Sequence, residues 1–210
     1  MKKVRFAVIG FGHIGKRHIE MIKRNPNAEI VAIIDINNDL RKGTNKIPFF
    51  QTLDEFFKSN LEIDVLNIAT PNGFHAEHAL KALENKVNVV IEKPMSLKTH
   101  DSEKIIHKSA EVNKHVFTVM QNRYSPPSKW LKEVVEKNIL GKIYMIQLNC
   151  YWNRDERYYT EKSWHGDKKL DGGTLFTQFS HFIDLIYWVF GDIKNIKTIL
   201  RDFNHNKLTD

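Results

Sequence analysis

The sequence has one cysteine, Cys150, among its 210 residues. A single cysteine cannot form an internal disulfide, and Cys150 lacks the companion ligands of a zinc site, so we expect it to be a buried apolar side chain. The longest apolar runs, such as 185–190, are far shorter than the roughly 18 to 20 residues of a membrane-spanning helix. The basic start MKKVRFAVIG leads straight into a glycine pattern without a small-residue cleavage site. We therefore predict a cytoplasmic protein with no signal peptide and no membrane partner.

The chain also lacks any concentration of charge. It has 32 Lys and Arg against 25 Asp and Glu, a net charge of +7, but the basic residues are scattered and no DNA- or RNA-binding signature is present. We expect no nucleic-acid partner, whereas an acidic small molecule such as a nucleotide sugar fits the charge equally well. His75 and His78 have no third ligand in pattern, so we expect no metal site.

Apolar runs alternate with helical patterns in residues 1–121. The runs that read as buried strands lie at 4–10, 29–37, 64–70, 87–94 and 115–121. Helical patterns separate most of them, including one that follows the first run directly. This alternation predicts an α/β domain with a doubly wound parallel sheet.

A glycine motif follows the first predicted strand and opens the first helix. It comprises Gly10, Phe11, Gly12, His13, Ile14 and Gly15, which fit GxGxxG. Asp35 lies at the end of the second strand, where a carboxylate can accept hydrogen bonds from ribose hydroxyls and repel a 2′-phosphate. The pattern predicts a Rossmann domain over residues 1–121 that binds NAD rather than NADP. A glycine turn without a ligand, and Asp35 as a simple strand-end cap, are the alternatives.

Polar residues follow the later strands of the predicted sheet. Ligands of an open parallel sheet bind outside the carboxyl ends of its strands, so these residues are expected to border the cofactor. They are Thr70, Asn72, His75, Glu92, Lys93 and Gln121. From this stretch alone, a surface lysine at a turn is the better reading of Lys93.

The pattern changes after Gln121, and we predict a second domain over residues 122–210. A helix is expected over about 128–138, and the alternation at 142–153 is typical of a strand with one covered face. A further strand is expected at 193–204, and 154–173 reads as a loop. Two strands are too few to close a sheet, so we predict an incomplete α/β domain with an open, mostly antiparallel sheet. Its exposed edges favour a homo-oligomer.

The stretch DGGTLFTQFSHFIDLIYW, residues 171–188, predicts a two-sided helix. At helical spacing, Phe176, Phe179 and Ile183 fall on one side, which we expect to face the core. Thr177 and His181 fall on the opposite, polar side.

Several motifs together resemble the glucose-fructose oxidoreductase / inositol dehydrogenase (Gfo/Idh/MocA) family. They are GFGHIG, TPNGFHAEHA, EKP and the glycine pair leading to SHFID, in the family's order. The resemblance implies an NAD(P)-dependent oxidoreductase acting on a sugar or sugar-like alcohol, with a Rossmann domain and a second α/β domain. QNRYSPP, SWHG and GGTLFTQFSHFID also resemble the branch of UDP-N-acetylglucosaminuronate 3-dehydrogenases. The chain is shorter than is usual for the family.

The resemblance also implies catalytic roles for two residues. Lys93 corresponds to the family's active-site lysine and His181 to its active-site histidine, whereas Thr177 stands where an aspartate is usual. We therefore predict that His181 takes the proton of a substrate hydroxyl and that Lys93 stabilises the charge on its oxygen. The predicted substrate residues are Lys93, Arg123, Tyr124, Trp164, His165, Thr177 and His181. The alternative is a non-catalytic dinucleotide-binding sensor or regulatory subunit.

Overall fold

The computed structural model describes residues 2–44, 46–160, 163–199 and 201. The chain divides into two compact units, unit 1 over Met1–Val119 and unit 2 over Met120–Asp210. The predicted domain boundary after Gln121 stays a prediction.

Unit 1 is built from a six-stranded parallel sheet and four α-helices. The strands are β1 (Val4–Ile9), β2 (Ala28–Ile34), β3 (Phe49–Phe50), β4 (Val65–Ile68), β5 (Asn88–Glu92) and β6 (Val116–Val119). The helices are α1 (His13–Arg24), α2 (Leu53–Lys58), α3 (His75–Glu84) and α4 (Thr99–Glu111). The strand order is β3-β2-β1-β4-β5-β6, so the order reverses between β1 and β4. The carboxyl ends of these two strands border the crevice where such sheets bind ligands.

Alternate residues of the strands supply the two cores of unit 1. On one face, Ala7 and Ile9 pack with side chains of α2, α3 and α4, among them the fully buried Phe56 and Ile105. On the other face, Val8 packs with residues that include Phe11 and Ile19, the latter from α1. Because both faces of the strands are covered, the strands read as continuous apolar runs in the sequence.

The predicted doubly wound parallel sheet is confirmed. The pattern missed β3, because two residues, Phe49 and Phe50, are too few to show a period. A polar cap begins α2, where the Thr52 hydroxyl accepts a hydrogen bond from the backbone N–H of Glu55.

The regular secondary structure among the described residues of unit 2 is helical. It contains α5 (Pro126–Glu136), a π-helical turn (Leu175–Phe179) and α6 (Ser180–Phe190), which ends at Gly191 with φ of 90°. The predicted strand at 142–153 is wrong, because these residues form no strand and no described segment pairs with them. Alternation marks a two-sided segment, but a strand also needs a neighbour for its backbone groups. The described part of 193–204 likewise forms no strand, and its other residues lie outside the described residues.

The expected orientation of the helix over residues 174–190 is also wrong. Phe176 and Ile183 are 38% and 39% exposed, whereas Thr177 and His181 are only 6% and 7% exposed. The polar side is buried because groups within unit 2 satisfy it: Asp184 accepts hydrogen bonds from Arg123, and the carbonyl of Trp188 accepts one from Lys132. Paired polar groups can lie inside a protein, and the sequence period alone does not reveal their partners.

Candidate active site

The three glycines of the loop after β1 have different surroundings. A Cβ atom on Gly10, which has φ of +91°, would lie 2.5 Å from the carbonyl oxygen of Ala69, and one on Gly15 would lie 1.8 Å from that of Gly10. Both positions therefore require glycine for packing, and Gly10 also requires it for its backbone angle. A Cβ on Gly12 would meet no protein atom within 4 Å. The loop is open at its middle glycine.

The N-terminus of α1 faces this opening. Gly12 is the residue before the helix, and neither a capping side chain nor an acidic first-turn residue occupies the helix end. The first N–H groups of a helix lack partners inside the helix and favour an anion. Gly12, His13 and Ile14 are all exposed. The loop therefore fits the pyrophosphate of a dinucleotide.

Asp35, directly after β2, is held against the glycine loop. One carboxylate oxygen accepts a hydrogen bond of 2.7 Å from the backbone N–H of Phe11, and the other accepts one of 2.8 Å from that of Asn37. Each carboxylate oxygen has a second lone pair. The carboxylate is thus oriented beside the loop and can still accept bonds from ribose hydroxyls.

Two turns at the sheet edge are joined by His75, the first residue of α3. Its Nδ1 lies 2.7 Å from the carbonyl oxygen of Pro94, and its Nε2 lies 2.8 Å from that of Thr70. His75 is 1% exposed, and burial lowers its pKa, while the two carbonyls act in the opposite direction. Its lowered pKa favours the neutral ring, which has one N–H, so His75 donates to one of these carbonyls and lies against the other. Its predicted contact with the cofactor stays a prediction. Asn72, which precedes it, is 5% exposed.

Strand β5 ends at Glu92, and Lys93 and Pro94 follow in the turn, joined by a cis peptide bond. Glu92 accepts a hydrogen bond of 3.2 Å from the backbone N–H of Lys93. Its other oxygen lies 2.7 Å from Nε2 of His18 on α1. Sequence reasoning missed His18, whose only signal is its place one helical turn after Gly15.

His181 is the buried histidine of unit 2. The amide nitrogen of Gln121 lies 3.5 Å from its Nε2, at the outer limit of a hydrogen bond. Gln121 was predicted to bind the cofactor, and this stays a prediction. A weak contact of this length is readily replaced by a hydroxyl that binds closer.

Thr177, four residues before His181, is held by two hydrogen bonds. Its hydroxyl donates to the carbonyl oxygen of Gly173 and accepts from Arg154, both at 3.1 Å. The hydroxyl proton is therefore already committed within unit 2. Threonine carries no charge, so Thr177 cannot orient a protonated histidine as a carboxylate would.

Arg123 forms a two-pronged ion pair with Asp184 of α6. Its Nε donates to Oδ2 of Asp184 at 2.8 Å, and its Nη2 donates to the other carboxylate oxygen. Asp184 raises the pKa of Arg123. The positive charge of Arg123 is thus matched inside unit 2, which weakens the case for it as an anchor for an anionic substrate.

The remaining predicted substrate residues differ in their surroundings. Trp164 stacks on His165 with ring centroids 4.2 Å apart, and Tyr158 lies 4.1 Å from the same histidine ring. Burial lowers the pKa of His165. Tyr124 is 72% exposed. The structure therefore gathers Trp164 and His165 in an aromatic cluster, and their roles toward a substrate stay predictions.

Within residues 2–44, 46–160, 163–199 and 201, no three His, Cys, Asp or Glu residues are placed to hold a metal ion. None of the helices in these ranges has the length and apolar character needed to cross a membrane.

The doubly wound sheet, the open glycine loop and the oriented Asp35 together define a dinucleotide-binding protein of the Rossmann class. Residues 4–120 match the family described as "Oxidoreductase family, NAD-binding Rossmann fold" (GFO_IDH_MocA). Residues 129–210 match the GFO/IDH/MocA C-terminal domain. The chain therefore belongs to the GFO/IDH/MocA oxidoreductase family, as the sequence motifs predicted.

The chain is similar to several oxidoreductases, some of them sugar dehydrogenases. It is 27% identical to Oxidoreductase P35 of Formosa agariphila and 28% identical to the glucose-6-phosphate 3-dehydrogenase of Bacillus subtilis, each over 90% of this chain. It spans 63% and 54% of the length of these two proteins. The crystal structure of the WlbA dehydrogenase from Bordetella pertussis, in complex with NADH and UDP-GlcNAcA, matches with a TM-score of 0.86 and 32% identity. This match covers 90% of this chain and 59% of that one.

Proposed function

We propose that the chain acts in an NAD-dependent dehydrogenase that moves hydride between a secondary alcohol of a sugar and nicotinamide. The observation that carries this proposal is the open position at Gly12, where a Cβ would meet no protein atom within 4 Å. Packing inside the protein does not require glycine at that position. A pyrophosphate that approaches the backbone does.

NAD, when bound, supplies the hydride acceptor. The backbone at Gly12 and the N-terminus of α1 would hold its pyrophosphate, and Asp35 would accept hydrogen bonds from its adenosine ribose. The charge of Asp35 disfavours a 2′-phosphate, which supports NAD over NADP. The residues of unit 1 therefore bind and orient the cofactor.

His181 and Lys93 are assigned to the hydroxyl that is oxidised. Gln121 donates toward Nε2 of His181, so that nitrogen carries a lone pair and can accept the hydroxyl proton. Lys93 would donate a hydrogen bond to the same oxygen and stabilise its developing negative charge. With Thr177 uncharged, His181 is the principal base.

The proposed substrate is a nucleotide-linked N-acetylated sugar. This proposal is supported by the likeness to the WlbA dehydrogenase, whose crystal structure contains UDP-GlcNAcA, and by the net charge of +7. Trp164, His165 and Tyr124 are proposed to contact the sugar nucleotide, because aromatic rings can stack on sugar and base faces. Arg123 is a weaker candidate because Asp184 already pairs with it.

The test is NADH formation from NAD and UDP-GlcNAcA by the full chain. Lys93→Met and His181→Phe should each abolish most turnover while the affinity for NAD stays within about twofold, because neither change touches the glycine loop. Lys98→Met, an exposed lysine at the start of α4, is the matched control and should behave as the wild type. Unchanged turnover in both Lys93→Met and His181→Phe would remove the assigned roles.

A non-catalytic dinucleotide sensor is the second candidate. Thr177 favours it, because an uncharged side chain stands four residues before His181 and its hydroxyl already donates to Gly173. A sensor would bind NAD, respond to it and produce no NADH with any sugar nucleotide. The same assay therefore separates the two functions.

We propose that the chain associates with itself through residues 139–152, because several large apolar side chains in this range are exposed. Tyr144 is 84% exposed, Met145 79% and Tyr151 91%. Exposed apolar surface of this extent favours association between chains. A cytoplasmic location and the absence of a nucleic-acid partner stay predictions.

A further inference from the structure

A chain of polar side chains runs through unit 1 from β4 to the turn that carries Lys93. The amide nitrogen of Asn67 lies 2.9 Å from Nδ1 of His18, and Nε2 of His18 lies 2.7 Å from Glu92. The second carboxylate oxygen of Glu92 accepts the backbone N–H of Lys93. Asn67 is 4% exposed, and the side chains of His18 and Glu92 are 15% and 14% exposed.

The direction of these bonds follows from the donor on Asn67. Because its amide nitrogen donates to Nδ1 of His18, the ring proton sits on Nε2, which donates to Glu92. Glu92 therefore has one oxygen on His18 and the other on the backbone of Lys93. A shielded carboxylate held by two donors has a fixed orientation.

This fixed orientation matters because of the neighbour of Glu92 in the chain. A carboxylate free to rotate next to Lys93 would compete for its ammonium group, which the proposed function requires at the substrate oxygen. His18 prevents that rotation. On the other side of Lys93, the carbonyl oxygen of Pro94 is held by His75. The turn is thus contacted on both sides by histidines: His18, which lies within α1, and His75, which begins α3.

We propose that His18 is a positioning residue for Lys93: it holds Glu92 away from the lysine and links the helix of the glycine loop to the catalytic turn. This inference rests on the proposed function for the role of Lys93. His18 itself touches neither cofactor nor substrate in this assignment. Its contribution is the geometry of the turn.

Two substitutions separate positioning from simple packing. In His18→Gln the side-chain amide stands close to the place of Nε2 and can still donate to Glu92. In His18→Asn the side-chain amide lies close to the position of Nδ1, near Asn67, and cannot reach Glu92. A packing role predicts equal effects of the two variants, whereas a positioning role predicts rescue by glutamine alone.

The expected result is a kcat lowered about 10- to 100-fold in His18→Asn, the range that small misplacements of catalytic groups produce. The KM for NAD should stay within about twofold, and His18→Gln should keep most of the activity. His107→Gln, an exposed histidine of α4, is the control. Equal losses in both His18 variants, or no loss in either, would overturn the inference.

A second readout does not depend on turnover. Lysines labelled by reductive ¹³C-methylation give separate NMR signals, and Lys93→Arg identifies the signal of Lys93. His18→Asn should shift this signal, and His18→Gln should restore it. If the wild type makes no NADH but the signal follows this pattern, the proposed function fails and the positioning stands. An identical Lys93 signal in all three proteins refutes the positioning, whatever the activity.

Discussion

At the scale of single residues, the three glycines of the GxGxxG motif have different structural roles. Gly10 and Gly15 are required by neighbouring carbonyl oxygens, whereas Gly12 faces open space. In a GxGxxG motif the first glycine serves a tight turn, the second the approach of a pyrophosphate and the third helix packing, so the sequence indicates which glycine faces the ligand. The neighbour that crowds Gly10 could not be predicted in this way, because Ala69 is far away in the chain.

Gly12→Ala should therefore affect binding and not folding. The backbone angles of Gly12 are φ −74° and ψ −162°, which alanine adopts without strain, and the added Cβ meets no protein atom. We expect the free energy of unfolding to change by less than about 1 kcal/mol, because alanine restricts the unfolded chain only slightly more than glycine. The affinity for NAD should fall about tenfold or more. Urea unfolding and calorimetric titration measure the two quantities.

Gly10→Ala is the contrasting variant. Its Cβ would lie 2.5 Å from a backbone oxygen at a φ of +91°, so the folded state itself should be destabilised. An NAD affinity that is unchanged in Gly12→Ala would show that the open position does not receive the cofactor.

At the scale of secondary-structure elements, α3 contributes a buried histidine, His75, and a partly buried one, His78, to the sheet edge. Burial lowers the pKa of His78 to about 4, and that of His75 is lowered as well. Because both values lie below the ordinary 6.5, the unfolded chain binds more protons between about pH 6.5 and pH 4. The free energy of unfolding should be highest above pH 6.5 and fall as the pH falls through this window.

The contribution of His78 should lower the free energy of unfolding by about 3 kcal/mol at pH 4, because its pKa lies about two and a half units below the ordinary value. Urea unfolding followed by far-ultraviolet circular dichroism at several pH values measures it. In His78→Gln the free energy of unfolding should change less between pH 6.5 and pH 4 than in the wild type, whereas His107→Gln should leave this pH dependence unchanged. A pH dependence that is the same in His78→Gln and the wild type would contradict this assignment. Asp64, whose pKa is lowered by Arg5, loses its contribution only at lower pH.

Most elements of unit 1 and the helices of unit 2 could be read from the sequence, whereas β3 was missed and the strand expected at 142–153 is wrong. Strands β1 and β2 are covered on both faces, so their apolar runs carry a strong signal. Residues 142–153 alternate in the same way as a strand, yet nothing among the described residues pairs with them. Likewise, α6 buries a polar side because Arg123 and Gln121 satisfy it. Pairing partners that are distant in the chain are invisible to a local pattern.

At the scale of the whole molecule, the two units differ in their tryptophan and tyrosine content. All 4 tryptophans and all 6 tyrosines lie in residues 120–210. Tryptophan fluorescence therefore reports unit 2 alone, whereas the described strands all lie in unit 1. The unfolding of the two units can be followed independently in one experiment.

The exposed apolar segment predicts the behaviour of the chain in solution. We expect light scattering to find a mass above that of the 24.6 kDa monomer, rising with concentration. The double variant Met145→Ser with Trp152→Ser, at positions 79% and 64% exposed, should shift the protein toward the monomer without a loss of helix content. A wild-type chain that stays monomeric at all concentrations would contradict the proposed association.

The central claim is that the glycine loop and Asp35 together hold NAD. Calorimetric titration of the full chain with NAD and with NADP tests it most directly, because it requires neither a substrate nor turnover. We expect about one NAD bound per chain, much weaker binding of NADP, and a smaller difference between the two affinities in Asp35→Asn. Absence of NAD binding, or a preference for NADP in the wild type, would contradict it.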